Sequence, residues 1–205
     1  MHFGYNLINH TQSDYTTNHP RPTFRDVFDF RLTVTDLLVK IVAAALAGHP
    51  RANAFWDATA GRVRIQEQIN VGVAVATENG LVAPIMRSAN RMGLAQIAAE
   101  RNRLTEQATS GELPPEELDG GTFTLTNLGM YRVDACQARL RPSQSATLTV
   151  GRIAERPVAI DGHLSVRPTM VITLLCDPRV LDDLTAAQFL DRVVELIEEP
   201  ALLIA

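Results

Sequence analysis

The residues best equipped for chemistry lie in one stretch near the C-terminus, Leu174-Leu175-Cys176-Asp177-Pro178-Arg179-Val180-Leu181-Asp182-Asp183. It gathers a thiol, three carboxylates and a guanidinium between an apolar strand-like run and an amphipathic pattern. It therefore reads as a strand-to-helix turn carrying charge at the edge of a core, the kind of segment that holds active sites. Asp177 and Asp182 are the groups there that could move a proton. Asp182 and Asp183 also suit a helix start, where carboxylates accept from free backbone N–H groups and oppose the dipole. Pro178 can accept no proton, has no backbone N–H, and biases Asp177 toward an extended conformation. Nothing near Cys176 or Cys136 in the sequence would depress a thiol pKa, so both read as small buried apolar residues. The five histidines show no metal-ligand spacing, and His49 and His163 read as surface residues.

The elements that must carry this turn follow from periodicity. A helix is expected from about residue 35 to 48, with Leu38, Ile41, Val42, Ala45 and Leu46 at three- and four-residue steps. Thr33 or Thr35 caps it, and Gly48 and Pro50 stop it. A short strand is expected at 62–66, then a longer one with alternating Val71, Val73 and Val75. Asn79-Gly80 turns that strand into the apolar run 81–86. A second helix spans 94–110, with Leu94, Ile97, Ala98, Arg101, Leu104 and Ala108 on one face and Gly111 at its end. Pro114-Pro115 opens a helical turn through Leu118, and residues 122–126 are strand-like. Residues 146–160 and 163–175 read as two long β runs joined at Asp161-Gly162. The last helix, 184–198, turns Leu184, Ala187, Leu190, Val194 and Ile197 inward behind a Thr185-x-x-Gln188 capping box. Helices and strands mix without strict alternation, so the class is α+β, a mixed sheet flanked by helices.

Residues 1–30 lack either periodicity and read as an irregular arm whose Phe24, Phe28 and Phe30 could tie it onto a neighbour; residues 31–205 form the domain proper. The 205 residues and 46% hydrophobic content suit one large domain. A formal charge of −4 with interleaved signs gives no reason to expect nucleic acid or a membrane surface as partner. No apolar run is long enough to span a bilayer, the start is unlike a secretory signal, and the two cysteines make no disulfide framework. A soluble, cytoplasmic protein is expected. Lys40 is the only lysine, so no lysine on an exposed hairpin is available to carry a lipoyl group.

From about Leu32 onward the order of motifs resembles the catalytic core of the dihydrolipoyl acyltransferases of 2-oxo acid dehydrogenase complexes. The matching runs are 40–46, 70–77, 93–98 and, most specific, Gly120-Gly121-Thr122-Phe123-Thr124-Leu125-Thr126-Asn127-Leu128-Gly129-Met130. In that family the C-terminal turn reads Ser-Cys-Asp-His-Arg-Val-Ile-Asp-Gly, and its His is the general base. By that resemblance Pro178 stands in place of the His and Asp183 in place of the Gly. Arg179 and Asp182 match, and Thr126 sits where a hydroxyl donates to the oxyanion. The family's Asp pairs with an arginine from an opening segment that residues 1–30 do not recognisably supply. The resemblance implies a chloramphenicol acetyltransferase-like fold in a trimer, with the turn of one subunit facing the Thr126 strand of the next across a channel. It also implies a bare, shortened core without lipoyl or subunit-binding domains. The apolar tail 200–205 is expected to seek a partner surface.

Acyl transfer from a thioester to a thiol gains about 10²–10⁴-fold from a base and about 10²–10³ from an oxyanion donor. The expected site therefore comprises Thr126, Asp182 and Asp177 as catalytic groups. Asn127, Arg179, Cys176, Pro178 and Asp183 line the substrate path. Without the His, classical lipoyl/coenzyme A transfer is expected to be absent or slowed by orders of magnitude. One reading is a repurposed enzyme acting on an acyl, thioester or related small molecule, with Asp177, Asp182, His10 or His19 moving the proton. The other is an inactive trimeric scaffold that partners an active homologue. No cofactor is required, and a coenzyme A thioester is a candidate substrate.

Overall fold

The computed structural model describes residues 2–8 as backbone, together with residues 32–160 and 162–203. Its centre is a mixed sheet. In chain order the strands are β1 (His2–Ile8), β2 (Ala54–Asp57), β3 (Arg62–Ile65), β4 (Val71–Val73), β5 (Val75–Thr77), β6 (Gly80–Val82), β7 (Ile85–Met86), β8 (Phe123–Asn127), β9 (Ala146–Val150), β10 (Ala154–Ile160) and β11 (His163–Cys176). The helices are α1 (Val34–Gly48), α2 (Leu94–Ser110) and α3 (Asp183–Glu198). The main sheet runs β1-β11-β9-β8-β4-β7, with β10 on the first half of β11; β2-β3 and β5-β6 are separate hairpins. β8 is parallel to both β4 and β9, and every other pairing is antiparallel.

Strand alternation explains the layering. Phe123 and Leu125 of β8, Ala146, Leu148 and Val150 of β9, and Ile172, Leu174 and Cys176 of β11 belong to one apolar core with α1 and α3. Phe123 meets Phe189 of α3 at 5.6 Å between ring centroids. The intervening residues Thr124, Thr126, Thr147, Thr149 and Thr173 point to the other face and are also buried. α1 is apolar nearly all round because it lies in the middle of the helical layer, packing on both α2 and α3. Thr33 caps it in a reciprocal box with Asp36: the Asp36 N–H donates to Thr33 Oγ1 at 3.3 Å, and the Thr33 N–H to Asp36 Oδ2 at 2.7 Å.

Several expectations shift. Residues 2–8 form a strand antiparallel to residues 169–175 of β11, whereas the sequence reads as an irregular arm there; the pairing partner is too distant in sequence to leave a local signal. The remainder of that arm, with His10, His19, Phe24, Phe28 and Phe30, lies outside the described residues. The run 146–160 is two strands, broken at Gly151. A Cβ on Gly151 would strike the Asp134 carbonyl, so β9 must end where the 129–141 loop crosses it. On α3 the buried residues are Ala186, Phe189, Leu190, Val193, Val194 and Leu196, while Leu184 is exposed. Its start is capped by Asp182, which accepts from the Thr185 N–H at 2.8 Å, rather than by Thr185. His49 is half-buried, with Nδ1 2.8 Å from the Ala45 carbonyl and its ring edge-on to Phe189. At the tail, Leu202 and Leu203 pack against the chain's own core.

Candidate active site

Thr126 is the penultimate residue of β8, and its neighbour Asn127 ties the strand end to α1. Asn127 Nδ2 donates to Thr35 Oγ1 at 3.0 Å, and Asn127 Oδ1 accepts from the Gly129 N–H at 2.9 Å. Both amide atoms are thereby committed to holding the β8 exit. Elsewhere on β8 the hydroxyls are occupied: Thr124 donates to Gln144 Oε1 at 2.8 Å, and Thr122, just before the strand, bonds the Asn70 backbone. Thr126 differs. It is 5% exposed, and its hydroxyl has no hydrogen-bond partner among the described residues.

That hydroxyl belongs to a cleft of about 250 Å³ between β4, the β5-β6 hairpin, α2 and the β8 exit. Arg101, Thr105 and Thr109, one helical turn apart on α2, form one wall; Met130 and Tyr131 stand at the other side. Met130 is 72% exposed. A second cleft of about 330 Å³ shares Thr35, Asn127 and Met130 with the first, so the Asn127–Thr35 hydrogen bond lies where the two adjoin. Among the described residues no Asp, Glu, His or Cys lines either cleft.

The C-terminal turn has its own geometry. The Asp177 N–H donates to the Ser145 carbonyl at 2.8 Å, and the Asp177 carbonyl accepts from Val180 and Leu181. Arg179 folds back on the side chain: its N–H and Nε both reach Oδ1 at 3.0 Å, and Nη2 reaches Oδ2 at 2.6 Å. The guanidinium also lies over the Trp56 ring, 5.6 Å from its centroid. The guanidinium hydrogen bonds hold the Asp177 carboxyl below the usual carboxylate range, against the opposing effect of burial. Asp182 is likewise lowered, chiefly by the Thr185 backbone N–H it caps. Both are weak bases at neutral pH. Pro178, Arg179 and Asp183 are exposed. Cys176 is 2% exposed within the core, and burial pushes its thiol up; it lines neither of the two clefts described above.

The structure does not bring the two halves of the expected site together within one chain. Thr126 is level with Thr149 of β9, which is level with Thr173 of β11. Two strand spacings separate Thr126 from Thr173, roughly 9–10 Å, and β11 continues roughly 13 Å further to Asp177. Cys176 pairs with Ala146 at the start of β9, while Thr126 lies toward the exit of β8. Reacting groups must approach to about 3–3.5 Å. Arg101 was hidden in the sequence among the apolar face of its helix; a charged residue recurring in that stripe is the signal that could have found it. Its Nε donates to Asp36 Oδ1 at 2.6 Å and Nη2 to Oδ2 at 3.3 Å. Thr35 gave no comparable signal, since its partner Asn127 lies far along the chain.

Residues 11–205 match the family model for the 2-oxoacid dehydrogenases acyltransferase catalytic domain. The dihydrolipoyllysine-residue acetyltransferase component of the pyruvate dehydrogenase complex of Rickettsia felis is 38% identical over 174 residues, covering 85% of this chain and 42% of that protein. The chain thus spans less than half the length of that relative. The cubic core of the pyruvate dehydrogenase multienzyme complex superposes with a TM-score of 0.86 at 24% identity, covering 100% of this chain and 84% of that one. A chloramphenicol acetyltransferase shares the fold more distantly, with a TM-score of 0.57 at 14% identity over 95% of this chain and 86% of that one. The family match spans nearly the whole chain and the fold agrees with it, and the chain belongs to the 2-oxoacid dehydrogenase acyltransferase catalytic-domain family.

Proposed function

We propose that this chain is an acyltransferase-type core whose working unit spans two copies, Thr126 of one facing the 176–183 turn of the other in an inter-subunit channel, within a homotrimer. The observation that carries this reading is the strand register: the Thr126 hydroxyl and the charged turn lie at opposite ends of one sheet, which supports closure of the site by a second copy. A buried hydroxyl without a partner beside an open cleft is suited to donate to a thioester oxyanion. The ligand is an acyl thioester, with a coenzyme A thioester as the first candidate. The relatives' assembly into a cubic core makes higher assembly of this chain worth testing.

Proton transfer is the weak point. Pro178 occupies the place of the family's base, Asp177 is held ionised by Arg179, and Asp182 is spent on a helix cap. Classical acyl transfer to dihydrolipoamide should therefore run about 10²–10⁴-fold below a base-assisted enzyme. The locked turn also favours a second reading, a thioester-binding scaffold subunit that co-assembles with an active homologue. The test is acetyl transfer from acetyl-coenzyme A to dihydrolipoamide, on protein whose mass is checked by light scattering. Slow transfer by a trimer supports the first reading. Binding without turnover supports the second, and a monomer that binds no thioester overturns both.

A further inference from the structure

The Thr126 hydroxyl makes no hydrogen bond among the described residues, so its direction depends on how the end of β8 is held. The two sides of β8 are held differently. Toward β9 the pairing runs past Thr126 to Asn127, opposite Val150, and the Leu128 N–H then donates to the Val150 carbonyl at 2.8 Å. Toward β4 the register stops at Leu125, whose carbonyl accepts from the Ala74 N–H at 2.9 Å. Thr126 and Asn127 are therefore paired on one side only, and the other side opens into the cleft.

The Asn127 side chain supplies the missing hold. A backbone N–H can only donate, so the bond from the Gly129 N–H at 2.9 Å fixes which end of the Asn127 amide is the oxygen. Nδ2 must then donate, and Thr35 Oγ1 accepts at 3.0 Å. Glycine at 129 makes room for this turn: a Cβ there would lie 3.1 Å from Asn127 Oδ1 and 3.3 Å from the Gly151 carbonyl. Thr35 is in turn well anchored. It sits in the first turn of α1, between the Thr33–Asp36 capping box and the bond from Arg101 of α2 to the fully buried Asp36 at 2.6 Å. Resting on the thioester reading above, we propose that Thr35 is a positioning residue: through Asn127 it ties the β8 exit to the α1–α2 layer and so aims the Thr126 hydroxyl at the acyl oxygen.

The test uses the full chain carrying Thr35→Val, Thr35→Ala or Thr35→Ser, each with and without Thr126→Val. A catalytic group displaced by ~1 Å can cost about 10²-fold. Thr35→Val and Thr35→Ala should therefore lower kcat for acetyl transfer from acetyl-coenzyme A to dihydrolipoamide by about 10–10²-fold, with KM nearly unchanged. Thr35→Ser keeps the acceptor oxygen and should recover most of that loss. In the Thr126→Val background the Thr35 substitutions should cost nothing more, because the group they aim is gone. An equal drop in both backgrounds overturns the proposal, as does a drop that Thr35→Ser shares in full. The Thr126 methyl resonance of threonine-labelled protein reads the positioning without turnover. It should shift or broaden in Thr35→Val and Thr35→Ala and return toward its original place in Thr35→Ser; a methyl unmoved by Thr35→Ala overturns the role. If the unaltered protein transfers no acetyl group while the methyl responds in this way, the thioester reading fails and the positioning by Thr35 stands.

Discussion

Arg179 grips the carboxylate of Asp177, two residues earlier in the chain, through its backbone N–H, Nε and Nη2, and rests its guanidinium on Trp56. The carboxyl is held below its ordinary range, so the folded protein binds fewer protons there than the unfolded chain in acid. Its stabilising effect is complete above the unfolded value near pH ~4 and is lost as pH falls through the lowered folded value. Urea midpoints measured from pH 6 down to pH 2 should fall more steeply for the unaltered protein than for Asp177→Asn. At neutral pH the same substitution should reduce any acyl transfer by less than about tenfold. A general base would cost about 10²–10⁴.

Thr126→Val removes a hydroxyl that bonds nothing among the described residues. Its stability cost should stay within about 1 kcal/mol, while transfer by the assembled protein falls by about 10²–10³. Thr122→Val is the contrasting control. That hydroxyl both accepts from and donates to the Asn70 backbone, so the change should cost about 1–3 kcal/mol in chemical denaturation through the buried N–H left unpaired.

Asp36→Ala strips the buried partner from Arg101 and half of the α1 capping box. Breaking a buried ion pair costs about 3–5 kcal/mol, and equilibrium unfolding in urea should register a loss of that size. A loss below about 1 kcal/mol would mean that Arg101 recovers its solvation without Asp36.

Two glycine substitutions should diverge in sign. Gly151→Ala drives a methyl into the Asp134 backbone and should cost about 1–3 kcal/mol or more, as overpacked sites do. Gly48→Ala, at the end of α1, meets nothing within 4 Å and should stabilise by about 0.4–1 kcal/mol through the unfolded chain. Thermal melts of the two variants, side by side, check both.

Much of the framework was legible because its causes are local. The helix over 94–110 with its Gly111 stop, the Thr33 cap and the Asn79-Gly80 turn each follow from a few neighbouring residues, and the structure reproduces them. The strand-like run 122–126 is likewise found, as a strand over Phe123–Asn127. What was not legible depends on partners far along the chain. β1 is a strand because β11 offers it an edge, β9 stops because Asp134 crosses at Gly151, and Asn127 is fixed by Thr35. Arg101 reads as one charged residue in an apolar stripe, and only the fold reveals that it answers Asp36.

The placement of Thr126 and the charged turn at opposite ends of one sheet has a genetic counterpart. A chain lacking the Thr126 hydroxyl still offers an intact turn, and a chain with a disrupted turn still offers Thr126. In a closed ring containing both, at least one interface joins the intact turn of the first to the intact hydroxyl of the second. Two individually defective copies of the protein should therefore complement when co-expressed. Mixing them after separate assembly should restore activity only at the rate at which subunits exchange.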